Sequence, residues 1–225
     1  NIKLITRAHG IDLYEERGFV YHRKKTLELV DQFYVVSKNA YEYMTTRYPD
    51  YKAKIRIASL GVPSPGFISN PSDDNKFRIV SCSANDENKR VELIFEGLKE
   101  LLNINKEIQI YWSHFGDGPL LVKLKNEISN YSNDHIKINL FGWIDNVEVL
   151  NYYKKNPVDL FISVSASEGR PVSMQEAQSC GIPILATAVG GVPEIVSKEV
   201  GMLLSQNPTP IEIAEGILFF INNPD

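Results

Sequence analysis

The sequence is poor in several features that would announce a chemistry by themselves. It has 2 cysteines in 225 residues, Cys82 and Cys180, each inside a strand or helix pattern. Two isolated thiols make no disulfide framework, and both are read as reduced core residues of a cytosolic protein. Positive charge is not in excess: 24 Lys and Arg stand against 28 Asp and Glu, a net charge of -4 with a pI near 5.7. Phosphate backbones attract basic faces, so nucleic acid is not expected as a partner, although a local basic site is compatible with this balance. No apolar run reaches the roughly 18 residues that a membrane span requires. No signal peptide precedes the strand-like run that begins at Asn1, and that abrupt start gives the expectation of a fragment of a longer protein. No G-x-G-x-x-G follows a strand, which argues against a nicotinamide dehydrogenase. Neither a metal-ligand cluster nor a nucleophile with an adjacent base is found, and there is no internal repeat.

What is present is an alternation. Strand candidates at 77–84, 107–116, 136–142, 158–165, 183–187 and 201–205 are short and β-branched. Between and after them lie amphipathic stretches at 89–104, 119–129, 146–156, 173–181, 192–196 and 209–223 with a 3.6-residue stripe. Such alternation predicts an α/β domain, a doubly wound Rossmann-like parallel sheet with helices on both faces. Ligands of such sheets sit beyond the carboxyl ends of the strands. Residues 1–66 read as strands at 1–10, 31–37 and 54–61 with helices around 22–30 and 38–48. Three strands bury too little surface for an independent domain, so 1–66 is expected to be the end of a partial α/β domain. A Pro-, Ser-, Asn- and Asp-rich linker at 67–76 leads to the second domain, 77–225.

Chemistry concentrates in "SEGRPVSMQEAQSCGIPILATAVGG" (167–191), where Glu168 and Glu176 stand eight positions apart around the proline-broken start of a helix. A buried carboxylate is costly unless a partner satisfies it. Free N–H groups at a helix start, with the helix dipole, bind anions, and a phosphate is the natural occupant. Two acids beside a phosphate would repel it if they touched it, so they are expected to flank it and accept hydrogen bonds from hydroxyls. A nucleotide-sugar satisfies the whole set.

The pair is an E-x7-E motif, and "EGRPVSMQEAQSCGIPILATAVGGVPEIV" (168–196) resembles the donor-site signature of family 4 glycosyltransferases of the two-Rossmann GT-B fold. "HFGDGPLLVKL" (114–124), "INLFGWIDN" (138–146), "NKRVELIFEGL" (88–98) and "TRAHGID" (6–12) resemble further motifs of that family, in its order. The resemblance implies that Glu176 holds the donor ribose and that Glu168, with the amides of Gly169 and Arg170, faces the transferred sugar. It implies Lys89 on the diphosphate, His9 on the donor sugar, and the backbone near Trp143 and Ile144 on the nucleobase, with the turn Gly116-Asp117-Gly118 close by. One departure stands out: the family usually carries an arginine about five positions before the lysine, where this chain has Ser83-Ala84, and Arg90 or Arg170 is expected to replace that charge.

The activity implied is retaining transfer of a hexosyl or related group from a nucleotide-sugar to a glycan or lipid-linked acceptor, with no cofactor and no metal. The expected setting is bacterial polysaccharide or lipopolysaccharide synthesis in the cytoplasm, with peripheral membrane association of the longer protein at the inner face. A silent nucleotide-sugar binding module and a GT-B sugar-nucleotide epimerase are the alternatives. Structural readings also exist: Gly190 and Gly191 as a plain turn, Lys89 as an exposed helix-start residue, His9 as a core histidine, and His114 as structural.

Overall fold

The computed structural model describes residues 2–15 and 23–224. The expected strand at 1–10 and helix around 22–30 therefore each begin on a residue outside the described ones. Among the described residues the strands form two sheets, both parallel throughout. The chain divides into two compact units. The first comprises Asn1–Gly61, Ser167–Val172 and Val189–Ile195, and the second Val62–Ala166, Ser173–Ala188 and Val196–Asp225.

In the second unit the strands are β4 (Lys76–Cys82), β5 (Gln109–Phe115), β6 (Ile136–Leu140), β7 (Leu160–Ser163), β8 (Ile184–Thr187) and β9 (Gly201–Leu204). Their order is β6-β5-β4-β7-β8-β9, so the chain builds outward from β4 in one direction and then in the other. This is the doubly wound α/β architecture. The helices are α3 (Val91–Ile104), α4 (Leu121–Ser129), α5 (Asn146–Lys155), α6 (Val172–Ser179) and α7 (Pro210–Asn222). Strands covered on both faces must be apolar at successive positions rather than alternate ones. β8 obeys that rule, every residue of Ile-Leu-Ala-Thr being buried. The core joins Ile79, Trp112, Leu160, Ile162 and Leu185 of the sheet to Phe95 and Leu98 of α3 and Ile213 and Ile217 of α7.

The first unit holds β1 (Ile5–Ala8), β2 (Gln32–Val35) and β3 (Ile55–Ile57), in that order across the sheet, with α1 (Arg23–Leu29) and α2 (Lys38–Arg47). Here the period is two: Phe33 and Val35 are fully buried with Leu27, Ala40 and Met44, while Tyr34 between them points to the other face. Ser37 caps α2, its hydroxyl accepting from the Ala40 N–H at 3.1 Å.

Three local expectations are corrected. Residues 192–196 form a single 3₁₀ turn, Val192–Glu194, because five residues carrying Pro193 are too few to nucleate an α-helix. A 3₁₀ stretch at Pro49–Lys54, opened by its proline, follows α2 where no element is expected. The helix expected from 89 begins at Val91, since Arg90 takes a left-handed conformation with φ 49°.

His114 on β5 is fully buried. Its Nδ1 lies 2.8 Å from Ser81 Oγ, which also accepts from Trp112 Nε1–H at 2.9 Å. Burial pulls the imidazole pKa down to about 4, so the ring is neutral in the folded state but titrates near 6.5 once exposed. A depressed histidine pKa contributes stability that is complete above about 6.5 and is lost as the pH falls toward about 4. Urea unfolding at pH 7 and pH 4.5 should show a loss from this group of about 2–3 kcal/mol. His114→Gln should shrink the acid loss by that amount, and an equal loss in the variant would assign it to other groups.

Candidate functional site

β4 and β7 are neighbours at the point where the strand order reverses. The chain leaves β4 at Cys82 and turns through 83–90 into α3. Asp86 closes that turn: its Oδ1 accepts from the Lys89 N–H at 2.9 Å, and its carbonyl accepts from the N–H groups of Lys89 and Arg90 at 3.1 Å each. The Ala166 N–H donates to the Asn88 carbonyl at 2.7 Å, stitching the turn to the stretch after β7.

Arg90 is one of two arginines expected to offer charge to a phosphate, the other being Arg170. Its Nε donates to the Val164 carbonyl at 2.7 Å, and its Nη2 donates to the carbonyls of Ser165 and Gln206 at 3.0 and 2.9 Å. Its Nη1 donates to Asn207 Oδ1 at 3.0 Å. The guanidinium thus joins three stretches of chain, and a direct phosphate contact would cost some of those bonds. Lys89 beside it is half-buried.

Cys82, half-buried at the end of β4, reports on its surroundings. Burial raises its thiol pKa to about 11, the charge of Glu176 pushes it the same way, and the Lys89 ammonium opposes both. Lys89 and Glu176, 87 residues apart, therefore lie within electrostatic reach of one thiol. Glu176 sits on α6, where desolvation raises its carboxyl pKa and a hydrogen bond from Asn146 works against that rise. The Asn146 Nδ2 donates to Glu176 Oε1 at 2.9 Å.

The ends of β4, β5 and β6 close on glycine. The Gly116 N–H donates to the Gly142 carbonyl at 2.8 Å, and a Cβ on Gly116, whose φ is +145°, would come within 1.7 Å of the Ser83 oxygen. Asp117 Oδ1 accepts from the Gly118 N–H at 2.7 Å, and the Asn85 N–H donates to the Asp117 carbonyl at 2.9 Å. After Gly142 the chain presents Trp143, 72% exposed, and the half-buried Ile144 before entering α5.

The remaining expected residues gather in the first unit. His9 follows β1, exposed, its N–H donating to Asp12 Oδ1 at 2.6 Å. The next residue, Gly10, abuts the loop that carries Glu168 and Gly169: a Cβ on Gly10 would stand 2.8 Å from the Gly169 nitrogen. Glu168 is buried, 7% exposed. Its carbonyl accepts from the Gly191 N–H at 3.3 Å, and a Cβ on Gly190 would come within 1.8 Å of that same oxygen. The glycine pair is therefore needed for close approach to the Glu168 loop, beyond turning the chain. The Arg170 Nε donates to the Leu60 carbonyl at 3.1 Å. Glu194 adds a clamp missed in the sequence, its two oxygens accepting from the N–H groups of Lys38 and Asn39 at the start of α2, 2.8 Å each.

The expected residues thus form two sets. Lys89, Glu176, Arg90, Gly116, Trp143 and Ile144 belong to the second unit, and His9, Glu168, Gly169 and Arg170 to the first. Asn146 also went unrecognised, for nothing in its spacing pairs it with Glu176. A cavity of about 590 Å³ lies at the other, amino end of the second sheet, beside Lys76, Gln109 and Asp159. Two of its charged groups are already engaged, Asp159 by Ser72 and the Arg78 N–H, and Lys76 by Asp74. The volume therefore does not mark the chemistry.

The family description "Glycosyl transferases group 1" matches residues 67–225. An uncharacterised glycosyltransferase of Methanocaldococcus jannaschii is 32% identical over 130 residues, covering 58% of this chain and 36% of that protein. The O-antigen biosynthesis glycosyltransferase WbnH of Escherichia coli is 30% identical over 172 residues, covering 75% of this chain and 45% of its own length. The chain thus spans less than half of either curated relative. Among solved structures, Anabaena HepE in complex with UDP-glucose superposes with a TM-score of 0.74 at 18% identity, over 98% of this chain and 63% of that one. That likeness fixes the GT-B fold.

The Arg90 contacts carry their own test. Arg90→Met keeps much of the apolar stem but leaves three carbonyls and one amide oxygen without their donor. Hydrogen bonds to charged groups are worth about 1.5–3 kcal/mol each and are not additive, so urea unfolding should show a loss of at least about 2 kcal/mol. Unchanged stability would return Arg90 to the candidates for ligand binding.

Proposed function

The chain belongs to the glycosyl transferases group 1 family, and from that premise we propose that it is the donor-binding part of a retaining, metal-independent glycosyltransferase. In this reading residues 77–225 hold a nucleotide-sugar, 67–76 are a linker, and 1–66 end an acceptor-side domain. The observation that carries it is the placement of Lys89 on the connection leaving β4 and of Glu176 on the connection leaving β7, at the strand-order reversal of a doubly wound sheet.

Each residue then has a physical task. Glu176 accepts from the ribose hydroxyls, and the backbone around Trp143 and Ile144 meets the nucleobase. Lys89 faces the diphosphate. Glu168, the amides of Gly169 and Arg170, and His9 contact the transferred sugar. In the reaction the acceptor hydroxyl attacks the anomeric carbon as its bond to the diphosphate breaks. The departing phosphate oxygen takes the acceptor proton on the same face, so no enzyme base has to be strictly placed. The protein's work is electrostatic, preorganised charge where the leaving group becomes more negative. A charge-assisted hydrogen bond from Lys89 is worth roughly 1.5–3 kcal/mol, against about 0.3–2 for the amino end of α6, so the lysine dominates.

The polysaccharide setting is carried over from WbnH, an O-antigen biosynthesis glycosyltransferase, and the use of UDP from the HepE complex. Among the described residues no helix is long and apolar enough to cross a membrane. Cytoplasmic placement with peripheral attachment of the whole protein at the inner face belongs to the same proposal. A silent nucleotide-sugar binding module is the second reading, and it draws on Ser83-Ala84, where the family resemblance leads one to expect an arginine.

Thermal unfolding with UDP-, GDP-, ADP- and CMP-sugars tests the binding. A ligand at a hundredfold excess over its Kd adds about 2.7 kcal/mol to stability, and one nucleotide should stand out. No shift with any of them would sink the reading. In the longer protein Lys89→Ala should lower turnover at least about tenfold, one such step being about 1.4 kcal/mol. Unchanged turnover removes Lys89 from the site, and ligand-dependent stabilisation without transfer by the parent protein favours the silent module.

A further inference from the structure

Asn146 is exposed, and the family resemblance assigns it no role. It is the first residue of α5, and the preceding Asp145, in the N-cap position, makes no side-chain cap bond. The Asn146 amide is instead turned to α6, where it donates to Glu176 Oε1 at 2.9 Å. A carboxylate only accepts, so the atom facing it must be the Nδ2 donor. Exposed hydrogen bonds between side chains contribute little to stability, and this one is spent on a carboxylate that is already losing hydration to burial.

The loop between β6 and α5 has a fixed point at each end. At Gly142 its carbonyl is held by the Gly116 N–H at 2.8 Å, and at Asn146 it is held by Glu176. Trp143 and Ile144 lie between these two points. We propose that Asn146 is a positioning residue for the nucleoside end of the donor. It fixes the Glu176 carboxylate for the ribose hydroxyls by occupying one oxygen, and it ties the base-contacting segment 143–144 to the same helix. The inference rests on the donor-site reading above and gives it a coupling: base and ribose are recognised by one hydrogen-bonded unit.

The test is a double-mutant cycle by calorimetry, with UDP and 2′,3′-dideoxy-UDP as probes and with Asn146→Ala, Glu176→Ala and the double variant. Removing a donor to a charged partner should weaken UDP binding about fivefold to tenfold. The same substitution should weaken dideoxy-UDP by no more than about twofold, the share that the untied segment 143–144 contributes, because the hydroxyls that Glu176 accepts from are gone, and the loss should vanish on the Glu176→Ala background. Asn146→Asp, equal in size but a second carboxylate beside the first, should bind UDP more weakly at pH 8 than the alanine variant. Thermal unfolding of each free variant within about 3 °C of the parent excludes a folding defect.

The outcomes separate the two claims. If the parent binds UDP, Glu176→Ala weakens it and Asn146→Ala does not, the positioning role is wrong and the site stands. Equal losses for UDP and dideoxy-UDP, or an unreduced loss on the Glu176→Ala background, also overturn the positioning role. If the parent binds none of UDP, GDP, ADP and CMP, or Glu176→Ala leaves binding unchanged, the donor-site reading itself falls.

Discussion

The pairing of β4 with both β5 and β7 is the constraint on which the second unit depends. β4 starts the sheet, and its neighbours on either side come from separate halves of the domain. Right-handed crossovers send α3 and α4 to serve one half and α6 to serve the other, so the connections part at the carboxyl ends of β4 and β7. In doubly wound sheets such a parting is where the ligand crevice lies. The residues proposed to meet the donor, Lys89 after β4 and Glu176 beyond β7, sit on those connections.

A site at such a junction needs backbone that approaches closely and does not move. The molecule achieves this with missing side chains and with one long cation. Gly116 stands where a Cβ would run into the Ser83 carbonyl oxygen. Arg90 supplies the opposite device, a rigid fork of donors that satisfies carbonyls from the strand end 164–165 and from 206. Arg90 thus adds to the bonds of Asp86 and Asn88 that hold the turn carrying Lys89. In the proposed reading the dipeptide Lys89-Arg90 divides ligand contact from backbone support, which composition cannot separate.

The first unit shows the same economy. Its loop 167–172 meets Gly10 through paired glycines, and the Glu194 carboxylate completes the amino end of α2. Glu194 sits in a 3₁₀ turn rather than a helix, which lets both its oxygens reach successive N–H groups of another element. Together these contacts set the backbone on which His9 and Glu168 stand, so the positions of both depend on residues with no chemical task of their own.

Most of the fold was legible. Short apolar runs such as Ile184–Thr187 and amphipathic stretches such as Val91–Ile104 declare strand and helix because their periods follow from burial on two faces or one. The motif residues could also be picked out, since Glu168, Glu176 and Lys89 are costly or conspicuous where they stand. What the chain order could not reveal was partnership across distance. Asn146 to Glu176 spans 30 positions, Glu194 to Lys38 spans 156, and Arg90 to Val164 spans 74. Sequence by itself determined the elements, their alternation and the family. The tertiary structure decided which side chains meet, because hydrogen bonds of this kind depend on ångström-scale distances that only the packed sheet and its turns establish.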